Sequence, residues 1–368
     1  MSLFSIPSTL CLRFRNRCHL PSRVANFCRS ASTTKSSLYK KDNSLDRMKL
    51  LIDTDPGTDD CHALTHLLKL GNVIAITSVF GNVKQPQTAQ NACRILDMLG
   101  MNHIPVYNGA HCSLQKVFHL ENVYCHGVHG SDGMNDVPDV VPVTVEKQPE
   151  LDKTSPDAII DIVKANPGEI TLVALGPLTN VAIATRLCPE LPKLVKSLYI
   201  MGSSSKVGNV TPWAEFNFHC DPLAAHVTLQ HFCSLSMVHV VPWEPCLENC
   251  ITFKQWDSLF EGSDGSPAKT LIQATGMTKW LRSRKKEDKE GYVFADQFIS
   301  MILVYPESVI ESDYYDTMTV NYDEKDEKFG LAEYKREDCS EKKECGLLVY
   351  TKFDMNYMMK IYTNSMKH

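Results

Sequence analysis

From Lys49 onward, short apolar runs alternate with longer stretches whose apolar residues recur at helical spacing. Residues 49–53 (KLLID) predict a strand and 59–70 a helix; 73–80 and 86–100 repeat the pair. The pattern recurs as strand 170–175 with helix 177–187, strand 195–201 with helix 222–231, and a strand at 237–241. Strands separated by helices are joined by right-handed crossovers and therefore run parallel. The fold class is α/β, an open, mostly parallel sheet with helices on both faces. Beyond Thr252 the pattern turns helical, with one helix over 267–286 running into a charge cluster from Arg282 to Glu290, a solvated face or loop. The alternating runs TMTVNY and LLVYTKF, between Thr317 and Phe353, predict a small antiparallel C-terminal addition. No internal repeat interrupts what reads as one domain over residues 48–368.

Composition changes this picture at the amino end. Residues 1–41 contain eight Lys and Arg and no acid before Asp42, with Ser, Thr and Asn between scattered apolar residues. A basic, Ser-rich, acid-poor segment of this kind is expected to be a mitochondrial transit peptide, and residues 1–47 are read as that leader or as a disordered tail. Met48 offers an internal start, hence a cytosolic form. Without the leader, 29 basic residues face 41 acidic ones, a formal charge of −12. An acidic domain is not expected to bind a nucleic-acid polymer, and no apolar run reaches the roughly 20 residues that span a bilayer. The 14 cysteines include no C-x-x-C pair, so they are expected to be reduced thiols filling the core rather than zinc ligands.

The chemistry is concentrated after the first strand. Asp53, Asp55, Asp59 and Asp60 fall within eight residues, around the turn formers Pro56 and Gly57. Crowded carboxylates repel unless a cation lies among them, and hard oxygen donors suit Ca²⁺ or Mg²⁺. Ligands bind at the carboxyl edge of open α/β sheets, where this turn falls. Asp59 is also placed to cap the following helix. An EF-hand fails, because its fifth, sixth and twelfth positions would be Gly57, Thr58 and Leu64. An aspartyl-phosphate motif is weakened by Gly57, and no dinucleotide-binding glycine pattern occurs.

The segment D-x-D-P-G-x-D-D resembles the signature of the inosine–uridine nucleoside hydrolase family. Further segments agree in order: Phe80-Gly81-Asn82, His129-Gly130-Ser131-Asp132-Gly133, Leu175-Gly176-Pro177-Leu178-Thr179-Asn180, Met201-Gly202, Gly208-Asn209 and Ala214-Glu215-Phe216-Asn217. The likeness covers residues 49–305 and fades in the tail. It implies a Ca²⁺ site made by Asp55, Asp60, the Leu175 carbonyl and Asp296, and a ribose pocket lined by Asp59, Asn82, His129, Met201, Asn209, Glu215 and Asn217. Glu215 and Asn217, two residues apart, share a face if extended.

The resemblance further implies hydrolysis of the N-glycosidic bond of a ribonucleoside through an oxocarbenium-like state. Asp55 would be the general base for a metal-bound water and Asn82 would help steer the water or the ribose. A homodimer or homotetramer is implied too. One position departs from the pattern: many purine-preferring members carry His before the last Asp ligand, and here Ala295 stands there. His126, His129, Tyr292 and Trp243 are the candidates to protonate the leaving base instead. Two rival readings follow: a nucleoside-binding protein that keeps the metal without turnover, and a metal-dependent phosphohydrolase. The second lacks any Lys or Arg from Asp53 to His66 to meet a phosphate.

Overall fold

A computed structural model describes residues 48–115, 126–143, 145–262, 265–286, 291–336 and 344–367. The leader, residues 1–47, lies outside the described residues, as do the imidazole of His126 and the end of the charge cluster at 287–290. No described helix is long and apolar enough to cross a membrane.

The strands are β1 (Lys49–Thr54), β2 (Asn72–Ser78), β3 (Val106–Asn108), β4 (Glu150–Thr154), β5 (Ile170–Ala174), β6 (Ser197–Met201), β7 (Met237–Val241), β8 (Val309–Tyr315), β9 (Thr317–Val320), β10 (Ala332–Lys335) and β11 (Gly346–Phe353). Nine form one sheet in the order β4-β3-β2-β1-β5-β6-β7-β11-β8, parallel throughout except for β8 against β11. Successive strand residues serve opposite faces: Leu50 and Ile52 join one hydrophobic cluster and Leu51 the other. All three are fully buried, which is why β1 reads as an unbroken apolar run. The first cluster includes residues from helices Thr58–Leu70, Gln87–Met98, Gln297–Val304 and Asn356–Ser365; the second draws on Ser155–Ala165, Thr179–Leu187 and Pro222–Phe232. Fully burying each Leu or Ile of β1 contributes about 1.5–3 kcal/mol.

Two expectations are corrected. The stretch 267–286 is two helices, Pro267–Gly276 and Lys279–Lys286. Thr278 Oγ1 accepts the Leu281 N–H, at 3.3 Å, starting a second helix where the first would have continued. In the tail, TMTV does pair antiparallel, as β9 with β10 in a separate two-stranded sheet. LLVYTKF is antiparallel to β8, as expected, but as β11 it also joins the main sheet, parallel to β7. Its Leu347 and Val349 pack into one core and its Tyr350 and Phe353 into the other, the double burial of an interior strand.

The topology places the turns after β1, β2, β5 and β6 side by side along the carboxyl edge. Asp53 is in register with Ala174, and Ala174 with Ile200. Chain order reverses on either side of β1, which makes this edge the binding crevice of the fold.

Candidate active site

The acidic turn is built from β1 outward. Asp53, fully buried, accepts hydrogen bonds at Oδ1 from Thr77 Oγ1 (2.7 Å) and Asn180 Nδ2 (2.8 Å). Burial outweighs those bonds and pushes its carboxyl up to about 7. Asp55 accepts the Asn82 N–H at Oδ2 (2.7 Å), while its Oδ1 is buried with no hydrogen-bond partner. The carboxylate lies in a slot that only glycine permits: a Cβ on Gly81 or Gly176 would fall 2.0 or 2.5 Å from its oxygens.

Asp60, rather than Asp59, closes the start of helix Thr58–Leu70. Its Oδ2 accepts the Gly57 N–H (3.0 Å) and its Oδ1 the Thr54 hydroxyl (2.5 Å). The third helical position is the one that reaches back to the cap N–H, so the expected Asp59 cap is not made. Asn82 Nδ2 donates to Asp60 Oδ2 (3.0 Å) and to the Asp55 carbonyl (3.3 Å), so Asn82 braces the two acids against each other.

Asp296 arrives from the far end of the chain, at the head of helix Gln297–Val304, without capping it. Carboxylate oxygens of Asp59, Asp60 and Asp296 lie within 4.8 Å of one another. Burial raises all four acids, and repulsion from neighbouring carboxylates adds to it at Asp55, Asp60 and Asp296: Asp59 and Asp60 rise to about 6, Asp55 and Asp296 well above the usual carboxylate range. Asp55 is outside that triad of oxygens, but its charge is felt by Asp296 and it feels those of Asp60 and Asp59. Four converging hard-oxygen groups with orphaned oxygens on Asp55 and Asp59 fit a divalent cation such as Ca²⁺ or Mg²⁺.

The opposite wall is polar and well satisfied. Glu215, almost wholly buried, caps the short helix Phe216–Cys220 and accepts N–H bonds from Asn217 (2.8 Å), Phe218 (3.1 Å) and Ser203 (3.0 Å). Burial raises its carboxyl to about 7 against those bonds. Glu215 and Asn217 are therefore not an extended pair; the cap, rather than strand alternation, brings them together. Asn217 Nδ2 bridges the carbonyls of Leu175 (2.7 Å) and Met201 (3.1 Å), joining the ends of β5 and β6. Asn209 lies in the loop after β6 with its Oδ1 buried and unpartnered.

His129 comes from the short helix His126–His129. Its Nδ1 accepts the Thr58 N–H (3.1 Å), which places the proton of the neutral ring on Nε2. Asp59 Oδ1 approaches Nδ1 to 3.5 Å, yet burial depresses the imidazole to about 4, so at neutral pH this is no ion pair. The loop behind His129 is held by Arg94, fully buried, which donates to Asp132 (3.0 Å), Asn91 (2.9 Å) and the Val141 and Pro142 carbonyls. Asn91 in turn donates to the Pro56 carbonyl (3.0 Å), tying that loop to the acidic turn. Tyr292 is committed elsewhere, donating to the Gly276 carbonyl (2.8 Å) and stacked on Trp256. Trp243 touches the site through its backbone N–H, which donates to Ser203 O (3.0 Å). Ala295 is buried and offers only a methyl group. Thr54, Asn91, Arg94 and Ser203 were not singled out by sequence, since each is an ordinary residue whose role depends on a partner distant in the chain.

The family model described as inosine-uridine preferring nucleoside hydrolase matches residues 50–360. A relative in Arabidopsis thaliana named probable uridine nucleosidase 2 is 39% identical over 185 residues, half of this chain and 56% of its own length. The chain thus spans little more than half the length of the first relatives it matches. Among solved structures, a plant nucleoside hydrolase superposes with TM-score 0.75 at 29% identity, covering 87% of this chain and 99% of its own. An inosine-guanosine nucleoside hydrolase superposes with TM-score 0.72 at 31% identity, over 87% and 98%.

Proposed function

Since the chain belongs to the inosine-uridine preferring nucleoside hydrolase family, we propose that it hydrolyses the N-glycosidic bond of ribonucleosides to ribose and free base, with Ca²⁺ as cofactor. The observation that carries the proposal is the orphaned Asp55 Oδ1, which feels the charges of Asp59 and Asp60, beside the convergence of Asp59, Asp60 and Asp296 at the carboxyl edge of the sheet. Asp55, Asp60, Asp296 and the Leu175 carbonyl would hold the ion. When bound, Ca²⁺ lowers the pKa of a water and offsets the carboxylate repulsion.

The chain's own residues supply the rest. Asp55, its Oδ2 held by the Asn82 N–H, accepts the water proton at the free Oδ1. Asn82 keeps Asp55 and Asp60 in register, a bracing role that adds to the steering expected of it. Glu215, Asn217, Asn209, Asp59, His129 and the Met201 region receive the ribose, and the surrounding carboxylates stabilise the positive charge that develops on the sugar. His129, neutral at the assay pH with its proton on Nε2, offers a hydrogen bond but is a weak proton source for the leaving base; Tyr292, bound to Gly276, does not serve. Among named relatives and neighbours, uridine, inosine and guanosine each appear, so the base preference is a matter for assay.

The second reading, a binder without turnover, is favoured by Ala295. A liquid-chromatography screen of ribonucleosides decides between them: released base supports the hydrolase, and binding with no release overturns it. The phosphohydrolase reading lacks support from Arg94, whose guanidinium is committed to four protein acceptors. We also assign residues 1–47 as a mitochondrial transit segment and the folded unit as a homodimer or homotetramer. The basic, acid-poor composition supports the first, and the family resemblance the second. Diffuse fluorescence from a fusion carrying the leader would reject the targeting assignment.

A further inference from the structure

Ser203 follows β6 with φ +81°, a left-handed conformation that a non-glycine residue adopts at a cost. It is fully buried and all its polar groups are engaged. Its N–H donates to Glu215 Oε2 (3.0 Å), its carbonyl accepts the Trp243 N–H (3.0 Å), and its hydroxyl meets the Tyr334 hydroxyl (2.9 Å). Tyr334 lies on β10, outside the segments that carry the family motifs, and the same ribbon ties down the next residue: Ala332 N–H donates to the Ser204 carbonyl (3.0 Å). Two independent links therefore fasten the small antiparallel sheet to the loop after β6. The consequence reaches the pocket, because Ser203 supplies one of the three N–H groups that, among the described residues, meet the Glu215 carboxylate. If Ser203 relaxes to ordinary backbone angles, that N–H turns away and Oε2 is left with the Phe218 N–H, a looser hold on the carboxylate.

We infer that Tyr334 is a positioning residue for the ribose pocket: its hydroxyl holds Ser203 in the left-handed conformation that aims the Ser203 N–H at Glu215. The inference rests on the proposed role of Glu215 at the ribose. It gives the C-terminal ribbon, which carries none of the family motifs, a part in substrate binding. The ribose is held before and during bond cleavage, so the effect belongs mainly in KM.

The test is a double-mutant cycle on the full chain with calcium present. Tyr334→Phe removes one hydroxyl and is expected to lower kcat/KM about three- to tenfold, the usual worth of a neutral hydrogen bond, through KM. Ser203→Gly reaches the same φ without help, since glycine has no Cβ to clash. In that background Tyr334→Phe is expected to change KM by less than about twofold. Equal effects in both backgrounds, or a lowered melting temperature with KM unmoved, would overturn the inference and leave the hydrolase reading intact. If the wild-type chain cleaves no ribonucleoside, the hydrolase reading fails by itself. Calorimetric binding of inosine and uridine then serves as the readout: about threefold weaker binding in Tyr334→Phe, abolished in the glycine background, supports the inference, and unchanged binding overturns it.

Discussion

Replacing Asp296 by Asn tests the electrostatic reading of the acidic cluster, because it changes one charge and almost no volume. Oxygens of Asp59, Asp60 and Asp296 lie within 4.8 Å of one another. Two full charges at that separation repel by about 3.5 kcal/mol at an effective dielectric of about 20. Asp296 takes part in two such pairs. At pH 8 Asp59 and Asp60, held at about 6, are ionised, and burial together with their repulsion raises Asp296 well above the usual carboxylate range. Removing this charge is expected to relieve the repulsion of one such pair, about 3.5 kcal/mol. In excess chelator at pH 8, Asp296→Asn should be the more stable protein by that amount in chemical denaturation. Calcium should narrow the advantage. At 100 to 1,000 times the dissociation constant it stabilises the wild type by about 2.7–4.1 kcal/mol, and the variant, lacking a ligand charge, should gain at least about 1.4 kcal/mol less, a tenfold weaker site. A wild type more stable than the variant in chelator, or equal stabilisation of both by calcium, would refute the reasoning.

Three further outcomes follow from the same structure. Asp55→Asn should lower turnover by at least about 10²-fold, the low end for loss of a general base, while a variant of near-normal turnover would move the base elsewhere. Because Ala295 has no proton to give, a nitrophenyl riboside, whose leaving group departs unprotonated, should be cut faster than inosine; equal rates would show that His129 or another residue fully replaces the missing acid. His239, stacked between Tyr199 and Tyr350, is depressed by burial from 6.5 to about 4. Its folded value lies below its unfolded one, so its contribution to stability is present above pH 6.5 and is lost as pH falls toward 4. Wild-type stability should drop by at most about 1.4 kcal/mol per pH unit more steeply than that of His239→Phe across this window; parallel pH profiles would contradict the burial argument.

What the sequence disclosed depended on how each segment is buried. β1, β5, β6 and β7 were legible because strands covered on both faces are nearly continuous apolar runs. β4 (ELDKT) escaped notice because it is an edge strand: Leu151 is 90% exposed and the pattern carries no buried face. LLVYTKF was recognised as a strand but assigned to the wrong sheet, since alternation records a pleat and not a partner. The site divides in the same way. The turn Asp53–Asp60 stood out through the density of its like charges, but the acid that closes the helix start is Asp60 and not the expected Asp59, because the two differ only in reach. Asp296 was found by resemblance alone. The link between Ser203 and Tyr334 joins residues 131 apart and had no signal, because a serine after a strand and a tyrosine in a ribbon are both ordinary until they meet.

The central claim is calcium-dependent cleavage of a ribonucleoside by the buried acid cluster. It is tested most directly by incubating the purified full chain with inosine and with uridine and quantifying free base and ribose, in chelator and after calcium is restored. Base and ribose should appear in equal amounts, cease in chelator and return with calcium, and Asp55→Asn should produce neither above background. Base release that is indifferent to chelator, or riboside binding with no base released from either substrate, would contradict the account.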